Sequence, residues 1–170
     1  KTKLILEMAP TQEMLKIALS VEPNMVTLVP ERREELTTEA GLDVILAQDT
    51  LKKFAKTLQD AEIQACIFVN PDIDQIKAAH KAGADYIEIH TGFYAEAVKT
   101  KEIESEFGKI LNAVKFASKL GIGINAGHGL NYRNVQRIAR IEEIGELSIG
   151  HSIIARAIFV GIEKAVSEMK

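Results

Sequence analysis

The fold this sequence predicts is a parallel α/β barrel, the (β/α)8 TIM barrel, with about six of its eight units inside 170 residues. Three observations predict it. Short apolar or β-branched runs recur along the chain, each followed by a segment of helical period. The repeat is about 28 residues, the spacing of strands joined by helical crossovers. The strands also divide into an apolar face and a polar one, as expected where one face meets helices and the other lines a lumen.

The runs, in order, are Leu4 to Met8, Met25 to Val29, Ala65 to Val69, Tyr86 to His90, Gly121 to Asn125 and Glu146 to Gly150. Between the second and third, Leu51, Phe54, Ala55 and Leu58 have the spacing of one helical face. Asp72 and Gln75 predict a capping box opening a helix from Ile73 to Ala82, which Gly83 ends. Phe107, Ile110, Leu111 and Val114 mark the buried face of the helix before the fifth strand, and Gly121 stops it. In Tyr86-Ile87-Glu88-Ile89-His90 the isoleucines share one face and Glu88 and His90 the other; Leu147 and Ile149 oppose Ser148 and Gly150 in the same way. A doubly wound open sheet would more often be apolar on both faces, which favours the barrel. Six strands cannot close with standard tilt and shear. The 170 residues are therefore expected to be one domain, units 3 to 8 of a barrel, with two units missing from the front and two strand edges unpaired.

Bulk properties narrow the function. A net charge of −3, with lysines scattered among glutamates, gives no basic surplus for a nucleic acid. Cys66 is the single cysteine and lies in an apolar run, which excludes a disulfide framework and a cysteine metal site and suggests a small core residue. No apolar stretch approaches bilayer length and the first residues do not resemble a signal peptide, so a cytoplasmic location without membrane association is expected.

In parallel βα architectures chemistry sits at the carboxyl ends of the strands. The polar residues there are Glu7, then Glu31 with Arg32, Arg33, Thr37 and Thr38, then Asn70, Glu88 and His90, Asn125 and His128, and finally His151. A glutamate inside an apolar strand is costly to bury unpaired, so Glu7 and Glu88 are candidates for function, with a structural ion pair as the plainer alternative. His128 between two glycines has little to pack against; a solvent-exposed loop histidine is its plainer reading. His151 could be an ordinary helix-start residue, His90 could satisfy a neighbouring carboxylate, and Arg32 and Arg33 read as a solvated loop pair, one of which could reach an anionic substrate. The glycines of Gly127-His128-Gly129 and Ile149-Gly150-His151 stand where strands give way to helices, where free amides favour an anion. A phosphate is expected there, since the last two loops of such barrels are the usual phosphate site. Gly121-Ile122-Gly123-Ile124-Asn125-Ala126 matches the loose dinucleotide pattern, but it lies within a strand rather than between strand and helix.

Taken together, Leu6-Glu7-Met8-Ala9, Leu28-Val29-Pro30-Glu31, Thr37-Thr38-Glu39, Gly41-Leu42-Asp43, Ile87-Glu88-Ile89-His90-Thr91-Gly92, Asn125-Ala126-Gly127-His128-Gly129-Leu130 and Ile149-Gly150-His151 resemble the pyridoxine 5′-phosphate synthases, over essentially the whole chain. The resemblance implies a transferase-type enzyme of vitamin B6 biosynthesis. It would join 1-deoxy-D-xylulose 5-phosphate to 3-amino-2-oxopropyl phosphate, giving pyridoxine 5′-phosphate, phosphate and water, with no organic cofactor and no metal. It implies Glu7 as proton acceptor, Glu88 as stabiliser of a cationic or hydrated intermediate and His128 as proton donor. Gly129, Gly150 and His151 would hold the aminoketone phosphate, and Thr37 would touch the deoxyxylulose phosphate. A homo-octamer is implied as well. The family's N-terminal Asn, Asp-His and Arg motif and its second-strand His, Arg and His have no counterpart in these residues, so the 170 residues alone are expected to be inactive. Two alternatives remain: another phosphate-binding barrel, such as an aldolase or sugar-phosphate isomerase, and a non-catalytic scaffold piece. No strand ends in the lysine a Schiff-base aldolase would want.

Overall fold

A computed structural model describes residues 2–31 and 40–170. Six parallel strands, β1 (Ile5–Met8), β2 (Met25–Leu28), β3 (Gln64–Val69), β4 (Tyr86–His90), β5 (Gly123–Gly127) and β6 (Glu146–Ser148), pair in sequence order in one sheet. This is a half-barrel, with β1 and β6 as its edges among the described residues. The crossovers are α1 (Gln12–Val21), α2 (Val44–Asp60), α3 (Ile73–Lys81), the short α4 (Gly92–Glu96) with the long α5 (Thr100–Leu120), and α6 (Val135–Ala139). After β6 come α7 (His151–Val160) and α8 (Ile162–Met169), which pack against each other.

Strand register separates the two faces. Outward residues Met8, Val26, Leu28, Ala65, Ile67, Val69, Ile87, Ile89, Ile124 and Ala126 are buried in one apolar cluster with Leu51, Phe54, Ala55 and Leu58 of α2 and Ile110 and Val114 of α5. Each large side chain buried there contributes about 1.5–3 kcal/mol. The inward row, read across paired positions, runs Glu7, Thr27, Cys66 in one tier and Phe68, Glu88, Asn125, Glu146 in the next. Alternation along each strand thus puts the polar groups together.

Several local expectations are refined. The fifth strand runs Gly123–Gly127 and the second and sixth end sooner than expected, at Leu28 and Ser148. Gly83 and Gly121 follow α3 and α5 at φ of 81° and 72°, as their stop roles require. The capping box is only half formed: the Asp72 carboxylate accepts from the amides of Asp74 and Gln75, but Gln75 Oε1 accepts from Val44 N at 2.7 Å. Gln75 therefore joins the start of α2 to α3 instead of closing its own turn. Asn70 is likewise structural, its Oδ1 accepting from Gly41 N at 3.0 Å. Cys66 is buried, yet it faces the lumen rather than the helix-facing core. No helix among the described residues is long and apolar enough to cross a membrane.

The edge strands draw close at the amino-terminal end of the trough. Lys3 Nζ, just before β1, meets Glu146 Oε1 of β6 at 2.8 Å. Asn125 Nδ2 also reaches across to Met25 Sδ at 3.8 Å, joining β5 to β2 through the interior.

Candidate active site

Glu88 is the centre of the inward face. Its side chain is 3% exposed, walled by the residues of β3 and β5 on either side. Burial raises its pKa to about 7, the charge of Glu7 adds to the rise, and a hydrogen bond with Ser148 opposes it. A carboxyl poised there exchanges a proton near neutrality. Burial, with the nearby charge of Glu88 second, also pushes the Cys66 thiol up, so Cys66 is an inert neutral neighbour.

The room for Glu88 depends on glycine. A Cβ at Gly127 would overlap Glu88 Oε1 and lie 2.8 Å from Ser148 Cβ. Beyond it the chain turns through two consecutive left-handed residues, His128 at φ 78° and Gly129 at φ 76°. Such a backbone is natural for glycine and strained for histidine, and it marks a position held by its surroundings. It sets the His128 ring 5.0 Å from that of His90 and 6.4 Å from Phe68. His90, 2% exposed, is edge-on to Phe68 and to Phe93, each at 5.3 Å. Gly92 leaves room for both imidazoles, since a Cβ there would come within 2.6 Å of His90 Nε2 and 3.0 Å of His128 Cδ2.

Gly150 caps α7 and His151 begins it, both exposed. A Cβ at Gly150 meets nothing within 4 Å, so open space adjoins the first amides of the helix. Ser152 Oγ donates to Leu130 O at 2.9 Å and ties this helix start to the loop after β5. Glu7 and Glu88 are therefore brought to electrostatic contact, His128 to the adjacent strand end, and the Gly129 and Gly150 loops to one side of the same trough. Glu7 itself is exposed, so the argument from the cost of burial does not hold for it; its place on the inward row is what matters. Arg32, Arg33, Thr37 and Thr38 lie outside the described residues.

Sequence reasoning missed Ser148 as the hydrogen-bond partner of Glu88, and Phe68 as the ring against both imidazoles. Register would have indicated both, because Ser148 pairs with Gly127 and Phe68 with Glu88 across adjacent strands.

A family model described as pyridoxal phosphate biosynthesis protein PdxJ matches residues 1–170. The chain belongs to the PdxJ family. This places it in vitamin B6 biosynthesis. It is 57% identical over 169 residues to the pyridoxine 5′-phosphate synthase of Geotalea uraniireducens, covering 99% of this chain and 71% of that protein. The enzyme of the same name from Geobacter sp. (strain M21) is 59% identical over the same shares, and that from Syntrophobacter fumaroxidans 52%. Solved structures agree in fold alone. The 3-keto-L-gulonate-6-phosphate decarboxylase of Vibrio cholerae superposes with a TM-score of 0.60 at 13% identity, over 97% of this PdxJ chain and 69% of that one. DHDPS of Cyanidioschyzon merolae gives 0.61 at 13% identity, over 96% and 60%.

Proposed function

We propose that this chain carries the acid–base and phosphate-binding side of a pyridoxine 5′-phosphate synthase site, condensing 1-deoxy-D-xylulose 5-phosphate with 3-amino-2-oxopropyl phosphate and releasing phosphate and water. The observation that carries the reading is Glu88, a buried carboxyl with a pKa raised to about 7 beside the charge of Glu7, one strand from His128. Imine formation, dehydration and ring closure each need a proton moved within a site that limits water. Glu7, which meets water and stands on the inward row, is suited to take protons. Glu88, neutral or charged near pH 7, can stabilise a cationic or hydrated intermediate, and His128 can donate. The amides beside Gly129 and Gly150, with His151, can donate to the anionic phosphate of the aminoketone. Thr37 completes the proposal on the deoxyxylulose phosphate, and the proposed reaction is a transferase-type condensation that uses no metal or organic cofactor. Assembly as a homo-octamer in the cytoplasm belongs to the same proposal.

The assay is formation of pyridoxine 5′-phosphate from the two phosphorylated substrates by a barrel of all eight units. No product at saturating concentrations of both overturns the reading. In that barrel Glu7→Gln is expected to lower kcat by about 10²-fold, as for loss of a general base. Because the Glu7 charge also raises the pKa of Glu88, the same variant should move the Glu88 titration downward in a pH–rate profile. Unchanged turnover removes Glu7 from the mechanism. Gly150→Leu should raise KM for the aminoketone phosphate by about 10-fold or more with kcat less affected, because its side chain would fill the space before the α7 amides. An unaltered KM argues against that loop as the phosphate site.

A further inference from the structure

We infer that Thr91 is a positioning residue for His128, locking the left-handed turn that aims its imidazole into the trough; this rests on the proton-donor reading of His128. Thr91 is fully buried at the end of β4. It stands at the N-cap position of α4, where a threonine side chain ordinarily accepts from the helix's first amides, but it makes no such bond. Its Oγ1 turns instead to the neighbouring strand end, 2.8 Å from Gly127 O and 2.6 Å from His128 O, where its single proton is shared between the two carbonyls. Its backbone N–H donates to Gly127 O as well, at 2.8 Å. One residue thus grips both peptide carbonyls that flank the strained His128 φ of 78°.

The grip is short, and its bond to Gly127 O is buried. A left-handed histidine costs about 1 kcal/mol or more and persists where its surroundings over-determine it. The amide of Thr91 holds the end of β5 as an ordinary ladder bond would, whereas the hydroxyl is the group that reaches the His128 carbonyl itself. Gly129 keeps the turn close, since a Cβ there would come within 2.7 Å of Ala95 Cβ on α4. Loss of the hydroxyl therefore releases the His128 peptide while the strand pairing beneath it remains. The imidazole would then leave its place 5.0 Å from His90.

The test compares Thr91→Val, which keeps the shape and removes the hydroxyl, with Thr91→Ser, which keeps the hydroxyl. In the 170-residue chain, nuclear Overhauser contacts between the rings of His128 and His90 should vanish in Thr91→Val and persist in Thr91→Ser. In the eight-unit barrel, Thr91→Val should lower kcat about 10- to 100-fold, the scale of a misplaced catalytic group, with KM within about 2-fold, and Thr91→Ser should recover most of the loss. Thr91→Ala makes the same comparison if Thr91→Val does not fold. Intact ring contacts without the hydroxyl, or a Thr91→Ser as impaired as Thr91→Val, overturn the inference. If the unsubstituted barrel makes no pyridoxine 5′-phosphate, the proton-donor reading falls, and the ring contacts alone decide whether Thr91 positions His128.

Discussion

Glu88→Gln is expected to make the protein more stable at pH 8 while abolishing most of the turnover of the eight-unit barrel. The Glu88 pKa rises from an ordinary 4.5 to about 7 on folding, so below pH 4.5 the group is protonated in both states and costs nothing. Between pH 4.5 and 7 the unfolded chain gives up its proton while the folded one keeps it, and stability falls as pH rises. Above pH 7 the loss is complete, at about 3 kcal/mol. Glutamine has no proton to lose and keeps an amide able to bond Ser148. The variant should therefore unfold several degrees higher than the parent at pH 8, with the difference shrinking toward pH 4.5. Thermal unfolding of the pair at both pH values checks it; a difference that does not change with pH would show that Glu88 is not strained by its surroundings. In the eight-unit barrel turnover should drop in the same variant, as the role proposed for Glu88 in stabilising positive charge requires. A stabilising change that disables an enzyme is what a site held at a cost to the fold produces.

The second large effect is expected at Gly127. Its φ is not in the left-handed region, so alanine meets no backbone penalty there, and the change tests space alone. The added carbon would overlap Glu88 Oε1 and press on Ser148. Glu88 is buried and Ser148 half-buried, and overpacking of this kind costs about 1–3 kcal/mol. In the eight-unit barrel turnover should fall by about 10²-fold, because the carboxylate must swing away from the position in which the proposed mechanism uses it. Gly108→Ala is the control, since nothing lies within 4 Å of its Cβ in the middle of α5. There the same substitution should stabilise by about 0.5–1 kcal/mol through helix propensity. Denaturant unfolding of the two variants should give opposite signs; destabilisation of both would mean that Gly127 is no more confined than a helix surface.

Much of this fold was legible because its two periods are simple. Alternation in Tyr86 to His90 separates Ile87 and Ile89 from Glu88 and His90, and the helical spacing of Leu51, Phe54, Ala55 and Leu58 corresponds to four buried side chains of α2. Glycines at 83 and 121 announced the ends of their helices for a conformational reason that composition alone reveals. What stayed hidden depended on neighbours distant in sequence. Gln75 looked committed to its own helix but bonds Val44, and Cys66 looked like core packing but faces the lumen in the tier of Glu7 and Thr27. The Glu88–Ser148 bond and the Thr91 grip each cross from one strand end to another, and nothing local to either residue encodes that. Chemistry-bearing positions could be enumerated, but their mutual distances required the register of the sheet.

The contact between Lys3 and Glu146 has a mechanical meaning. Both side chains stand in water, where an exposed ion pair contributes only about 0–1 kcal/mol. The two margins of the trough are therefore not clasped by their ions. Their approach follows from the right-handed twist that accumulates over six parallel strands and from the helices wedged behind them. The hollow holding Glu88 thus has its curvature built into the backbone, and it should keep that shape in brine as well as in dilute buffer.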